Sequence, residues 1–147
     1  MSAQNFFSEE QKRQITDAIA EAEQNTSGEI RLHVEGSCKI DVLDRAAYIF
    51  EQLEMHKTAQ RNGVLFYLAV NDRKFAILGD SGINQLVPEN FWDHIKETML
   101  VFFRDGKFAE GVSTGILMAG EQLKTHFPYQ SNDVNELSDE ISFGKNS

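Results

Sequence analysis

The chain has one cysteine, Cys38, two prolines and one tryptophan in 147 residues. A single thiol excludes an internal disulfide framework and any cysteine-rich zinc site. Positive charge is also scarce: 14 Lys and Arg stand against 23 Asp and Glu, a formal net charge of −9. A surface of that sign repels phosphate backbones, so nucleic acid is not expected as a partner, while cations and other proteins remain open. No apolar run approaches the roughly 20 residues needed to cross a bilayer, and no membrane span is expected. The opening residues Met1 to Phe7 carry no basic segment and lead into Glu9 and Glu10, unlike a signal peptide. The expected location is the cytoplasm.

What is present is core-forming material. Hydrophobic residues make up 41% of the chain and eleven are Phe, enough for one domain with a packed interior. That domain is expected over residues 1–127. From residue 128 to 147 the composition turns to Ser, Asn and acids, with Asp133, Glu136, Asp139 and Glu140 against Lys145. This acidic C-terminal tail is expected to be mostly disordered. Val134, Leu137, Ile141 and Phe143 give it the means to dock on a groove or a partner.

Ser8-Glu9-Glu10-Gln11 is a capping-box pattern, and Ile15, Ala18, Ile19 and Ala22 then mark one face of a helix. Ile30, Leu32 and Val34 alternate with Glu29, Arg31, His33 and Glu35, which predicts a strand with one polar face. Asp41 is placed to cap a second helix carrying Ala46, Ile49 and Phe50. Val64 to Val70 is continuously apolar, as in a strand covered on both sides. Strand, helix and strand form a βαβ unit, so these two strands should be parallel. Asn71-Asp72 supplies turn chemistry for a hairpin to a third, antiparallel strand ending at the Gly79-Asp80-Ser81-Gly82 loop. A third helix is expected to open on Pro88, and a fourth to run from Phe108 to Phe127. Gly111, Gly115 and Gly120 near one side of it predict close helix packing.

The order of these pieces resembles the TPM domain family, which includes thylakoid acid phosphatase-like proteins and photosystem repair factors. The resemblance rests on Arg61-Asn62-Gly63-Val64-Leu65, Asn71-Asp72-Arg73-Lys74, Gly79-Asp80-Ser81-Gly82, Leu86-Val87-Pro88 and the segment Phe102 to Gly111. It implies a three-layer α/β/α sandwich with a mixed, mainly parallel, Rossmann-like sheet. It also implies divalent-metal binding and a phosphatase activity.

The topology sorts the polar residues into two groups. The first two strands begin where the third ends, which gathers Ser27, Glu29, Arg61, Asn62 and Asp80 at one edge. Glu35, Ser37, Cys38, Asp41, Asn71 and Asp72 lie at the other, on the order of 20 Å away for a six-residue strand. Asp80, Glu29 and Asn62 are hard oxygen donors suited to Ca²⁺ or Mg²⁺. The alternative set, Glu35, Asp41 and Asp72, competes with plain roles for Asp41 as a helix cap and Asp72 as a turn former. Arg61 is the candidate phosphate clamp. Cys38 has Asp44 where a cysteine phosphatase loop needs Arg, so a metal-activated water is the remaining route to phosphatase chemistry. His33, His56, His94 and His126 show no metal-ligand spacing and are expected at the surface.

Three functions follow in order. The first is a divalent-metal-binding module that acts by contact with another protein. The second is a weak metal-dependent acid phosphatase. The third is a metal-free assembly scaffold.

Overall fold

The computed structural model describes residues 2–129 and 137–144. A short helix α1 (Ala3–Phe6) precedes α2 (Glu9–Glu23), strand β1 (Glu29–Glu35), α3 (Val42–Gln52) and a 3-10 turn at Met55–Lys57. The hairpin β2 (Gly63–Ala69) and β3 (Lys74–Gly79) leads into the single-turn α4 (Ser81–Asn84). Helices α5 (Asp93–Arg104) and α6 (Phe108–His126) follow, and β4 (Ser142–Phe143) closes the sheet. The strand order is β3-β2-β1-β4, with β1 parallel to both β2 and β4 and β3 antiparallel to β2.

Alternation along the strands builds the three layers. Ile30, Leu32, Val34, Val64, Phe66, Leu68 and Ile77 face one way and share a core with α2, α5 and α6. Leu65, Tyr67, Ala69 and Ala76 face the other way, against Ala46, Ile49 and Phe50 of α3. Every residue of β2 is buried, which is why its sequence is apolar without a break. The α/β/α sandwich with a mixed, mainly parallel sheet is therefore as expected.

Local signals act where they were read. Ser8 Oγ accepts from the Gln11 amide at 3.1 Å while Gln11 Oε1 accepts from the Ser8 amide at 2.9 Å, and α2 begins. Asp41 Oδ1 takes the amides of Leu43 and Asp44 at 2.9 and 3.2 Å and starts α3. At the end of α5 the Lys107 amide reaches Phe102 O and the Gly106 amide reaches Phe103 O, both at 3.0 Å. These two bonds need a left-handed residue between the helices, and Gly106 supplies it at φ 74°. Close approach governs the remaining glycines of α6. A Cβ at Gly115 would stand 2.5 Å from Met99 Sδ, and one at Gly120 would stand 2.6 Å from Ala22 Cβ.

Two expectations change, and part of the expected tail acquires a place. Pro88 does not open a helix: residues 88–92 make turns, with bonds from Phe91 N to Pro88 O and Asp93 N to Asn90 O, and α5 starts at Asp93. Of the expected loop at 79–82, Gly79 ends β3, Asp80 is the cap of α4 and accepts from the Ser81 amide, and Ser81 and Gly82 open the helix. Residues 137–144, part of the expected tail, lie against the sheet. They run beside β1, with Leu137 packed on the α3 side and Ile141 and Phe143 on the other. Leu137, Ile141 and Phe143, the apolar residues that gave the tail the means to dock, make these contacts. The rest of the expected tail, residues 130–136 and 145–147, lies outside the described residues.

Filling the contact between α2 and α6 tests this packing. Gly120→Val should lower stability by about 1–3 kcal/mol through overpacking against Ala22. A lower urea midpoint with an unchanged slope is the expected result.

Candidate functional site

The register places Glu29 beside Gly63 and Val64 beside Gly79, so β1 and β2 begin where β3 ends. The Asp80 amide donates to Gly63 O at 3.0 Å and the Glu29 amide to Asn62 O at 3.3 Å. Glu29, Arg61, Asn62 and Asp80 thus meet at one edge. Arg61 adopts φ 52°, a conformation uncommon for a side chain of this size. Its guanidinium forks Asp80, Nε to Oδ2 at 2.8 Å and Nη2 to Oδ1 at 2.9 Å. Asp80 Oδ1 also accepts from the Ser81 amide at 2.7 Å. A Cβ at Gly82 would lie 2.1 Å from Gln60 O, so only glycine lets the Asp80 turn rest on the Arg61 loop.

Asn62 is 1% exposed. Its Nδ2 donates to Ser27 Oγ at 3.3 Å, whereas its Oδ1 has no hydrogen-bond partner among the described residues. Glu29 is equally hidden, and its Oε2 accepts from the Leu137 amide at 3.4 Å. Close by, Glu23 Oε2 accepts from the Ile30 amide at 2.8 Å. Burial, followed by a hydrogen bond with Asp139 and the charges of Asp139 and Glu29, pushes the Glu23 carboxyl up to about 9. It is protonated at neutral pH. This edge is crowded with carboxyl groups, and Glu23 is raised first by burial and then by its neighbours Asp139 and Glu29.

The opposite edge holds a cleft of about 600 Å³, lined by the end of β1, by α3, and by residues 142–144. Glu35 is among its lining residues. Arg45 donates to the two Glu35 oxygens at 2.8 and 3.0 Å, the Tyr67 hydroxyl donates to Oε2, and His33 Nε2 lies 3.1 Å from Oε1. Burial opposes the Glu35 charge, but the bonds from Arg45, Tyr67 and His33 outweigh it and hold the carboxyl at about 2. Burial pushes the His33 imidazole below its usual range against the pull of Glu35. Its Nδ1 lies 2.9 Å from Ser142 Oγ, so a line of side chains runs from β4 through His33 to Glu35. Tyr67 is raised by burial and by Glu35, and stays a hydroxyl donor.

The structure therefore divides the alternative set. Glu35 sits in this cleft, Asp41 is spent on the α3 cap, and Asp72 Oδ2 accepts from the Cys38 amide at 2.7 Å. Among the described residues, no group of three or more His, Cys, Asp or Glu is arranged to hold a metal ion. A cation at the first edge would have to draw Asp80 away from Arg61 and take the free Asn62 oxygen. His33 is buried, contrary to the surface position expected of it. The missed signal was register: His33 and Glu35 lie two apart on one face of β1, and His33 is directly opposite Tyr67. Arg45 and Glu23 gave no such cue.

The comparison with protein families decides where this arrangement belongs. The model of the TPM domain matches residues 1–122. The chain is a member of that family. Its fold is that of the BA42 protein from the psychrophilic bacterium Bizionia argentinensis, to which this TPM domain is 45% identical. That match covers 95% of this chain and 97% of the other, with a TM-score of 0.90. The N-terminal domain of a P. gingivalis protein is 20% identical over 84% of this chain and 80% of its own, at a TM-score of 0.68. The N-terminal domain of a Corynebacterium glutamicum protein is 13% identical over 89% and 82%, at 0.66. The last two likenesses are of fold alone. A comparison with curated proteins finds no match.

The Glu35 cluster of this TPM domain sets its acid response. A carboxyl held at about 2 against an ordinary 4.5 stabilises the fold above pH 4.5, and that contribution is lost as pH falls toward 2. His33, lowered from 6.5, acts in the same direction, since the unfolded chain takes up its proton first. Arg45→Met should cost about 2–3 kcal/mol at neutral pH, less than a fully buried pair because Arg45 is partly exposed. It should also flatten the acid limb of stability. Urea midpoints between pH 7 and pH 3 check both effects.

Proposed function

We propose that this TPM domain is an interaction module whose contact surface is the outer edge of β1, and that residues 137–144 are its built-in occupant. One observation carries the reading: a seven-residue strand, fully paired with β2 on one side, is met on the other by a two-residue strand. The segment is held in the manner of strand addition, by alternate side chains and few main-chain bonds. The Gly144 amide donates to Val34 O at 2.9 Å, and Arg31 Nη2 donates to Glu140 O at 3.3 Å. Another protein presenting an extended segment with apolar residues at the Leu137, Ile141 and Phe143 positions would occupy the same edge.

Displacement is the test. A chain ending at residue 136 should bind a peptide of residues 137–147 in trans, with amide shifts along Arg31 to Glu35. Phe143→Ala in the peptide should weaken it about tenfold through the lost apolar burial. Absence of saturable shifts in β1 would remove the reading.

A divalent cation, Ca²⁺ or Mg²⁺, is proposed as the regulator of this module. The support is Asn62 Oδ1, a hard oxygen buried without a partner among the described residues, at the edge where Glu29 and Asp80 also lie. Because Glu29 also accepts from the Leu137 amide, a cation there would bear on the docked segment. Titration of the full chain should shift the amides of Glu29, Asn62, Gly63, Asp80 and residues 137–140. Asp80→Ala should abolish the effect. No saturable shift at millimolar metal would leave the metal-free assembly scaffold. The weak phosphatase reading has no comparable support, since Arg61, its candidate phosphate clamp, is closed on Asp80.

A further inference from the structure

At the same end of the sheet as the Glu35 cleft, but on the opposite face, a pocket of about 440 Å³ opens between the β2–β3 hairpin and the turn joining α5 to α6. Its size falls within the roughly 300–1,000 Å³ of small-molecule sites. The walls are aromatic. Phe75 meets Phe103 edge to face with centroids 5.2 Å apart, Phe103 lies against Phe108 at 5.4 Å, and Phe108 meets Phe6 at 5.3 Å. None of these rings is fully buried, so a continuous apolar wall stays open to solvent.

Two cations, Arg73 and Arg104, are among the lining residues, and both are exposed. Neither forms an ion pair among the described residues, in a chain where acids outnumber bases by 23 to 14. Both are held by the backbone. Arg73 occupies a left-handed position in the hairpin at φ 53°, where a long side chain is uncommon. Arg104 is the last residue of α5, just before the turn that Gly106 closes. An apolar cavity with free guanidinium groups at its lining complements a ligand with an apolar body and a single carboxylate head.

We propose that this pocket binds a medium-chain aliphatic carboxylate, with the chain against Phe75, Phe103 and Phe108 and the head on Arg73 and Arg104. The cavity is concave and small, which suits a single chain better than a protein segment.

The experiment is an NMR amide titration of the full chain with sodium octanoate below its micelle concentration, compared with octanol. Saturable shifts at Arg73, Phe103 and Gly106, with octanol at least about tenfold weaker, are expected. The variant R73N/R104Q should reduce octanoate affinity about tenfold while leaving that for octanol unchanged. Asn tolerates the left-handed position and both arginines are exposed, so the variant should keep the parent spectrum elsewhere. No saturable shift would overturn the proposal. Equal binding of octanoate and octanol, or an unaltered octanoate affinity in the double variant, would also overturn it, leaving an apolar surface without selectivity for the head group.

Discussion

Burying a carboxylate in the face of a sheet is costly unless its oxygens find donors, and Glu35 finds three. The donors come from different places: Tyr67 from the neighbouring strand, Arg45 from the covering helix, and His33 from two residues back on the same strand. Through His33 the network extends to Ser142, so one carboxylate links β1, β2, α3 and β4. Apolar packing can hold α3 against the sheet at many small offsets. A forked ion pair and a hydroxyl on one carboxylate allow far fewer. The seating of α3, and with it the shape of the cleft, depends on that group.

The two edges of the sheet then take different characters. Where β1 and β2 begin, polar groups are tied into a rigid corner by Arg61, Asp80 and the Gly82 close approach, yet an amide oxygen is left without a donor. Where they end, Glu35 has its donors but the space beside it stays open. Parallel pairing of β1 and β2 makes this separation unavoidable. Residues at either end of a strand cannot share one ligand, so two chemistries coexist on one small sheet.

Much of this was readable in the chain. The capping box at Ser8, the cap at Asp41, the unbroken apolar β2 and the small residues on α6 each act locally or at one contact, and each holds in the structure. The grouping of Glu29, Asn62 and Asp80 at one edge followed from strand direction alone. What was not readable depends on partners distant in the chain. Arg45 meets Glu35 across a helix–strand contact, and Asp139 reaches Glu23 only because the last segment returns to the sheet. His33 looked like a surface residue because the polar face of β1 is covered by side chains that also look polar. In the last segment acids dominate the composition, and the contacts of Leu137, Ile141 and Phe143 place it beside the sheet.

That returning segment has a consequence for any competitor. Its strand is tethered to α6 by the residues between His126 and Leu137, so docking is an intramolecular event. A short tether of this kind gives an effective concentration on the order of millimolar at the β1 edge. A separate molecule at micromolar levels must therefore exceed the affinity of the tethered segment by about a thousandfold to replace it. Under the proposed strand exchange, the tether would set a threshold that only a well-matched strand meets.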